Sequence, residues 1–573
     1  MNAELSRRLS LTEIEKALEE KIPDAQVQKY SEGIIDGFAD QTTVTLETVL
    51  ESAFASPLIS KDFDPGSIRH AARAFAAAQD ALNKLDIDAP LHDLTVGTIQ
   101  LPKTVAALVA EINMVAAMLK DALVKQSTGY DMSGAGHPIA RQQAIALLDR
   151  HYGFPEDLMA TAIEKNIIGP GGMRMLNDTF VAGREWFLQQ GLKPDQIIFC
   201  TPDNSFGTTF QLEANNRIGT ENHALASVES MRMSPENGLH YSAEDVNQFY
   251  DKNEGKSFGA LWYLTPLGNP SGTKIAPQQL LETLNAIATR DAEREDHRLA
   301  EQARLRAEAE AEGNTPELDR NYKSIIVLDM VYVRTLKPEE AKKLLQAVWD
   351  SPAAPQVVFI DSLSKTHGLC NLRIADAFSI DKDDANPAEF QTDPKVKPSK
   401  ETFFSFLQKK NMEVGAGNGI DKDALWMALG SYDNEELALF DELHQLWAAE
   451  LKALYEKLIA NGDFDHLFDQ QEHIIESDLE NPGGLYLFLK LKDGVDPNQV
   501  VIETSCFGVP TKMLNPNTGV KDVQYVRYSV GRTTEPVFSN FQSSTLLPQD
   551  FKMPSTRATT LKALDRFESV GNF

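Results

Sequence analysis

The sequence predicts an α/β protein: a large domain with a mostly parallel sheet flanked by helices, and a smaller α+β domain. Three observations carry that expectation. From about residue 91, short apolar runs alternate with turn residues and longer amphipathic stretches. Beyond residue 400, long helical patterns such as EELALFDELHQLWAAELKALYEKLIANG give way to strand-like GGLYLFLKL and VQYVRYSVG. The chain has 573 residues, more than one core usually serves.

In chain order, residues 1 to about 90 are mostly helix-patterned, end in ARAFAAAQDALNKL and hold no cluster with obvious chemistry, so they read as a packing extension. The strand-like runs follow: NIIGPGG, QIIFCTPD, GALWYLTPLGNPSG, SIIVLDMVY and QVVFIDSLSK. Between the third and fourth lies TRDAEREDHRLAEQARLRAEAEAEGNTPELDR, which predicts a solvated helix laced with i,i+4 charge pairs.

Composition narrows the function. With 42% hydrophobic and 24% charged residues the chain falls among ordinary globular proteins. No apolar segment reaches the roughly 18 residues that span a bilayer, and the charged start MNAELSRRLSLTEIEKALEEK lacks the apolar stretch of a signal peptide. A cytoplasmic protein is expected. Cys200, Cys370 and Cys506 are far apart, which argues against a disulfide framework or a zinc site. A net charge of −29 repels phosphates and anionic lipid, so neither nucleic acid nor membrane is an expected partner.

In α/β sheets ligands sit outside the carboxyl ends of the strands, so residues just after each run matter most. Lys365 stands just past QVVFI, with Ser362 and Ser364 before it and Arg373 eight residues after. A lysine partly desolvated at such a place becomes a nucleophilic amine able to form a Schiff base with an aldehyde. The serine hydroxyls and the arginine fork suit a phosphate. Aldehyde plus phosphate points to pyridoxal 5'-phosphate, which needs an acid to keep its pyridine nitrogen cationic. Asp329, ending SIIVLD, is the candidate, and Tyr332 can donate its hydroxyl to the cofactor's phenolic oxygen. Asn269, opening NPSGT, can bond the same oxygen. GPGG at 169–172 precedes a helix-like segment and can offer backbone N–H groups to the phosphate.

NPSG, DMVY and SLSKTHGLCNLR resemble the signature of class I/II aminotransferases, the fold-type I pyridoxal-phosphate enzymes, across roughly residues 91–540. The 36-residue interval from Asp329 to Lys365 is similar to the family's, and the 60 residues from Asn269 to Asp329 exceed it by about the charged insertion. The helical extension at 1–90 lies outside the resemblance, which implies an N-terminal segment of the small domain at 91–125, a cofactor-binding large domain at 126–395 with an insertion near 288–320, and a C-terminal small domain at 396–573. It implies Lys365 as the catalytic residue. Cofactor contacts would come from Asp329, Tyr332, Asn269, Ser362, Ser364, Arg373, the backbone of Gly171, Gly172 and Met173, Phe206 stacked on the ring, and Tyr130 reaching the neighbouring subunit's phosphate.

On the substrate side, YVRYSVG resembles the segment whose arginine binds the α-carboxylate, which makes Arg527 that residue. LTVGTIQLP places Gly97 beside it, with Asn269 shared between substrate and cofactor. The resemblance thus implies a homodimer with shared sites that moves an amino group between an amino acid and a 2-oxo acid, with no metal. The same constellation serves β-decarboxylases and lyases of this fold, such as aspartate 4-decarboxylases, and a non-catalytic cofactor-binding regulator is a third reading. His367 and His137 read as structural hydrogen-bonding residues.

Overall fold

The computed structural model describes residues 25–38, 43–62, 68–88, 91–95, 99–126, 134–202, 227–231, 237–311, 323–370, 372–381, 388–390, 399–413, 419–432, 434–469, 482–514, 521–543 and 545–546. Strands in chain order are β1 (His92–Asp93), β2 (Asn166–Gly169), β3 (Ile197–Pro202), β4 (Ser227–Met231), β5 (Gly259–Leu264), β6 (Ile325–Asp329), β7 (Val357–Ser362), β8 (Ala375–Phe378), β9 (Ala388–Phe390), β10 (Ser399–Glu401), β11 (Tyr486–Lys490), β12 (Cys506–Phe507), β13 (Val509–Leu514) and β14 (Lys521–Ser529).

The main sheet has seven strands in the order β2-β8-β7-β6-β5-β3-β4. The pairs from β7 through β4 are all parallel, and β8 runs antiparallel to both β7 and β2. Six strands therefore point one way, and their carboxyl ends open on one edge. The expected α/β architecture, a mostly parallel sheet flanked by helices, is the one observed.

The five apolar runs become strands because they are buried on both faces, where β-branched and aromatic side chains pack well on a pleated surface. Alternation then sorts them. Ile325, Val327, Val358 and Ile360 join Phe180, Trp186 and Phe187 of the helix Gly172–Gln189 on one face. Ile326, Leu328, Val357 and Phe359 pack on the other face with the helices Pro138–Tyr152 and Pro338–Trp349.

The crossover helices start where their caps dictate. Ser242 and Asp245 form a reciprocal capping box for Ala243–Lys252, and Pro338 with Glu339 and Glu340 opens Pro338–Trp349.

The described part of the charged insertion, up to Ala311, lies on one long helix, Pro277–Ala311. Its exposed part carries the expected i,i+4 pairing, Arg304 to Glu308 at 2.7 Å. Its earlier part is anchored: Asp291, 3% exposed, accepts the Tyr250 hydroxyl at 2.7 Å, the Ser324 N–H at 2.7 Å and the Gln356 amide at 2.8 Å.

Beyond the large sheet, β11, β14 and β13 form an antiparallel sheet. Helices Ala25–Asp36, Leu46–Phe54, Pro57–Asp62 and Ile68–Lys84 share an apolar core that includes Phe507 of β12. Phe54 stacks on Phe507 at 4.9 Å and Phe75 meets its edge at 5.3 Å. In turn β12 pairs with β1, which leads to Thr95. Among the described residues, no helix is long and apolar enough to cross a membrane.

Candidate active site

β7 ends at Ser362, which caps the one-turn helix Leu363–Thr366 that carries Lys365. The Ser362 Oγ accepts the Ser364 N–H at 3.3 Å, donates to the Ile374 carbonyl at 2.9 Å and lies 3.0 Å from the Ser364 Oγ. The Cys370 thiol donates to the Ser364 carbonyl at 2.6 Å. The turn is thus tied at several points, and it leaves the Lys365 side chain partly buried at the carboxyl edge of the sheet.

Beside it, Gly171 caps the helix Gly172–Gln189 with φ 100° and ψ 148°, a region open essentially to glycine alone. A Cβ on Gly171 would come within 2.7 Å of the Arg373 Nη2, and one on Gly172 within 3.2 Å of the Ser362 Cβ. Arg373 itself adopts φ 52°, which costs a non-glycine residue roughly 1–2 kcal/mol. That conformation helps lay the guanidinium against the glycine backbone. The first N–H groups of a helix have no intrahelical acceptor, so those of Gly172 and Met173 are available where Arg373 and the Ser362 and Ser364 hydroxyls converge. Such a set of donors suits a tetrahedral anion.

The pleat places Asp329 on the same face of the sheet as these donors, in register with Ile360 of β7. Its Oδ2 accepts the Tyr263 hydroxyl at 2.7 Å and its Oδ1 the Val331 N–H at 3.1 Å. Burial pushes the carboxyl up to about 6, helped by the Asp361 charge and opposed by these two hydrogen bonds.

A second group lies at the end of β5. The Asn269 Nδ2 donates to the Tyr332 hydroxyl at 3.1 Å, and the Asn269 Oδ1 accepts from the Arg527 Nη1 at 3.3 Å. Arg527, 3% exposed, also donates through Nη2 to the Thr95 carbonyl at 2.8 Å. The Tyr486 hydroxyl lies 3.0 Å from that of Tyr332, and the Arg527 guanidinium sits 4.7 Å from the Tyr486 ring centre. Burial and the Tyr486 hydroxyl raise Tyr332 well above an ordinary phenol, so it stays protonated.

Two groups of residues thus come together: Lys365, Ser362, Ser364, Arg373, Gly171, Gly172, Met173 and Asp329, around the carboxyl ends of β2, β6 and β7, in one, and Tyr332, Asn269 and, from β14, Arg527 in the other. Gly97, Phe206 and Tyr130 lie outside the described residues. His137 caps the helix Pro138–Tyr152, its Nδ1 accepting the Ile139 N–H. His367 is buried, bonds the Thr366 hydroxyl at 2.9 Å and packs 4.2 Å from the Phe440 ring.

Sequence reasoning missed Tyr263, Tyr486 and Thr95, whose contacts arise only when distant segments meet. It also missed a buried polar cluster on the opposite face of β7. There the Arg334 Nε donates to the Asp361 Oδ2 at 2.7 Å, and the Asn166 amide donates to Asp376 at 2.8 Å. Asp376, cross-strand from Asp361, is pushed up to about 8 by burial and by that neighbouring charge. The single aspartate inside the apolar run IADAF was the one signal available for it.

No family model and no curated protein matches this chain. It is similar to solved aminotransferase structures. An aspartate aminotransferase from Thermotoga maritima has 16% identity and a TM-score of 0.48, covering 88% of this chain and 97% of its own. For an aminotransferase from Mycobacterium tuberculosis the values are 15%, 0.47, 89% and 97%. For an aromatic aminotransferase from Pyrococcus horikoshii they are 14%, 0.45, 85% and 97%. The functional reading below rests on the chain's own residues.

Proposed function

We propose that this protein binds pyridoxal 5'-phosphate through Lys365 and transfers an amino group between an amino acid and a 2-oxo acid. The observation that carries the reading is the convergence, at the carboxyl edge of one sheet, of donor sets suited to different edges of one small molecule. The Gly171–Met173 backbone, Arg373, Ser362 and Ser364 fit its phosphate. Asp329 fits its ring nitrogen, and the Asn269–Tyr332 pair fits its phenolic oxygen. The cofactor, when bound, supplies the electron sink that makes a bond at the substrate α-carbon labile.

The protein's own groups choose and serve that bond. Arg527, pinned by Asn269 and Thr95, pairs with the substrate α-carboxylate and sets the orientation of the α-carbon. Lys365 would hold the cofactor, and its amine would serve the substrate α-carbon as general base and then general acid. Asp329 would hold a cationic ring nitrogen as an ionised carboxylate, since an adjacent opposite charge would offset the burial that raises it in isolation. A homodimer with shared sites belongs to the same reading, on the resemblance of TGYDMSGAGH around Tyr130.

The test is to incubate the purified protein with single amino acids and follow its visible absorbance, measuring carbon dioxide and ammonia in parallel. Loss of the band at constant cofactor content, with neither gas released, supports transamination; stoichiometric release of either rejects it. Lys365→Ala should remove the visible band, and its persistence would sink the assignment.

A further inference from the structure

We propose that Tyr486 is a positioning residue whose hydroxyl turns the Tyr332 proton toward the cofactor's phenolic oxygen and so tunes how tightly the Lys365 nitrogen holds its own proton. This rests on the cofactor reading above and goes beyond it to a residue that reading does not use.

The argument is an accounting of protons. A phenol has one proton to give and room to accept. The Tyr332 oxygen already accepts the Asn269 amide at 3.1 Å, and its remaining described partner is the Tyr486 hydroxyl at 3.0 Å. Either phenol can be the donor of that pair. Tyr486, 3% exposed, is enclosed, and the charged group against its ring is the Arg527 guanidinium, which has donors only. Among the described residues its proton therefore has Tyr332 as its acceptor.

A negatively charged phenolic oxygen is a stronger acceptor than a neutral hydroxyl. It draws the Tyr332 proton, and Tyr486 then donates into the oxygen that Tyr332 has freed. Each hydrogen bond in such a chain strengthens the next. The geometry is held from behind. A side chain on Gly272 would collide with the Tyr486 carbonyl, so the NPSG turn seats directly on β11, and the two rings meet edge to face at 5.5 Å.

Donors to the phenolic oxygen disperse its charge and loosen its hold on the proton of the Lys365 nitrogen. Losing a donor therefore raises the pH at which the visible absorbance titrates. In the cofactor-loaded protein, Tyr332→Phe should raise that midpoint by about one to two pH units. Tyr486→Phe, which keeps the ring against Arg527, should raise it by roughly a few tenths of a unit. Because Tyr486 acts through Tyr332, the double variant should titrate like Tyr332→Phe alone.

An unmoved midpoint in Tyr486→Phe, or an equal shift with and without Tyr332, would overturn the inference while leaving the cofactor reading intact. A wild-type protein that develops no visible band with the cofactor would overturn both.

Discussion

Gly171→Ala is the sharpest perturbation of the proposed phosphate cradle. The new methyl carbon would lie 2.7 Å from the Arg373 Nη2, 2.9 Å from its Cζ and 3.1 Å from its Nε, so the guanidinium must withdraw. Holding an alanine at φ 100° and ψ 148° adds strain on the order of 1–3 kcal/mol. Displacing Arg373 removes a charge-assisted contact to phosphate worth about 1.5–3 kcal/mol, which corresponds to roughly ten- to a hundredfold weaker cofactor binding. The assay is a titration of cofactor-free protein with pyridoxal 5'-phosphate, followed by visible absorbance, with circular dichroism confirming the fold. Pyridoxal without its phosphate is the control: it should bind wild type and variant within about twofold of each other, since only the phosphate meets Arg373. A folded Gly171→Ala protein with wild-type affinity for the phosphorylated cofactor would refute the cradle.

Arg527→Lys removes a planar fork and should lower kcat/KM for α-amino acids by about ten- to a hundredfold while leaving cofactor affinity unchanged; steady-state kinetics would expose an error if amine substrates lacking a carboxylate suffered equally. For Asp376, pushed up to about 8, the folded protein binds a proton that the unfolded chain releases near pH 4. The stability it contributes is full below about pH 4 and is lost as pH rises to about 8, so Asp376→Asn should flatten the decline of urea stability across that window; an unchanged slope would count against the buried protonated carboxyl. Phe507, fully buried between Phe54 and Phe75, should cost about 3–5 kcal/mol when cut to alanine, read by denaturant unfolding; a loss under about 1 kcal/mol would mean that helices 25–84 do not lean on it.

The sequence by itself determined where the strands lie and which strand ends hold reactive residues. Runs such as SIIVLD and QVVFID are continuous and apolar because a parallel sheet buries both faces, and that local requirement is written residue by residue. Lys365, Asp329 and Asn269 were legible for the same reason: polar residues stand out directly after such runs. Gly171 was legible as part of a glycine-rich turn able to offer N–H groups, but not which side chains it faces.

Only the tertiary structure decided the rest. That Gly171 and Gly172 face Arg373 and Ser362 follows from the sheet order, which sets β2 two places from β7 and pointing the same way. The ring of contacts joining Arg527, Asn269, Tyr332 and Tyr486 joins segments as much as 258 residues apart. No periodicity announces it, since Tyr486 in GGLYLFLKL has the pattern of any buried strand residue. Secondary structure is a local preference, whereas a hydrogen-bond partner or a raised carboxyl depends on which distant group packing delivers and how much water it excludes. Asp329 and Asp376 are both strand aspartates in sequence. Asp329 sits beside a phenol and a backbone N–H, Asp376 beside another carboxylate, and that difference in neighbours separates a carboxyl at about 6 from one at about 8.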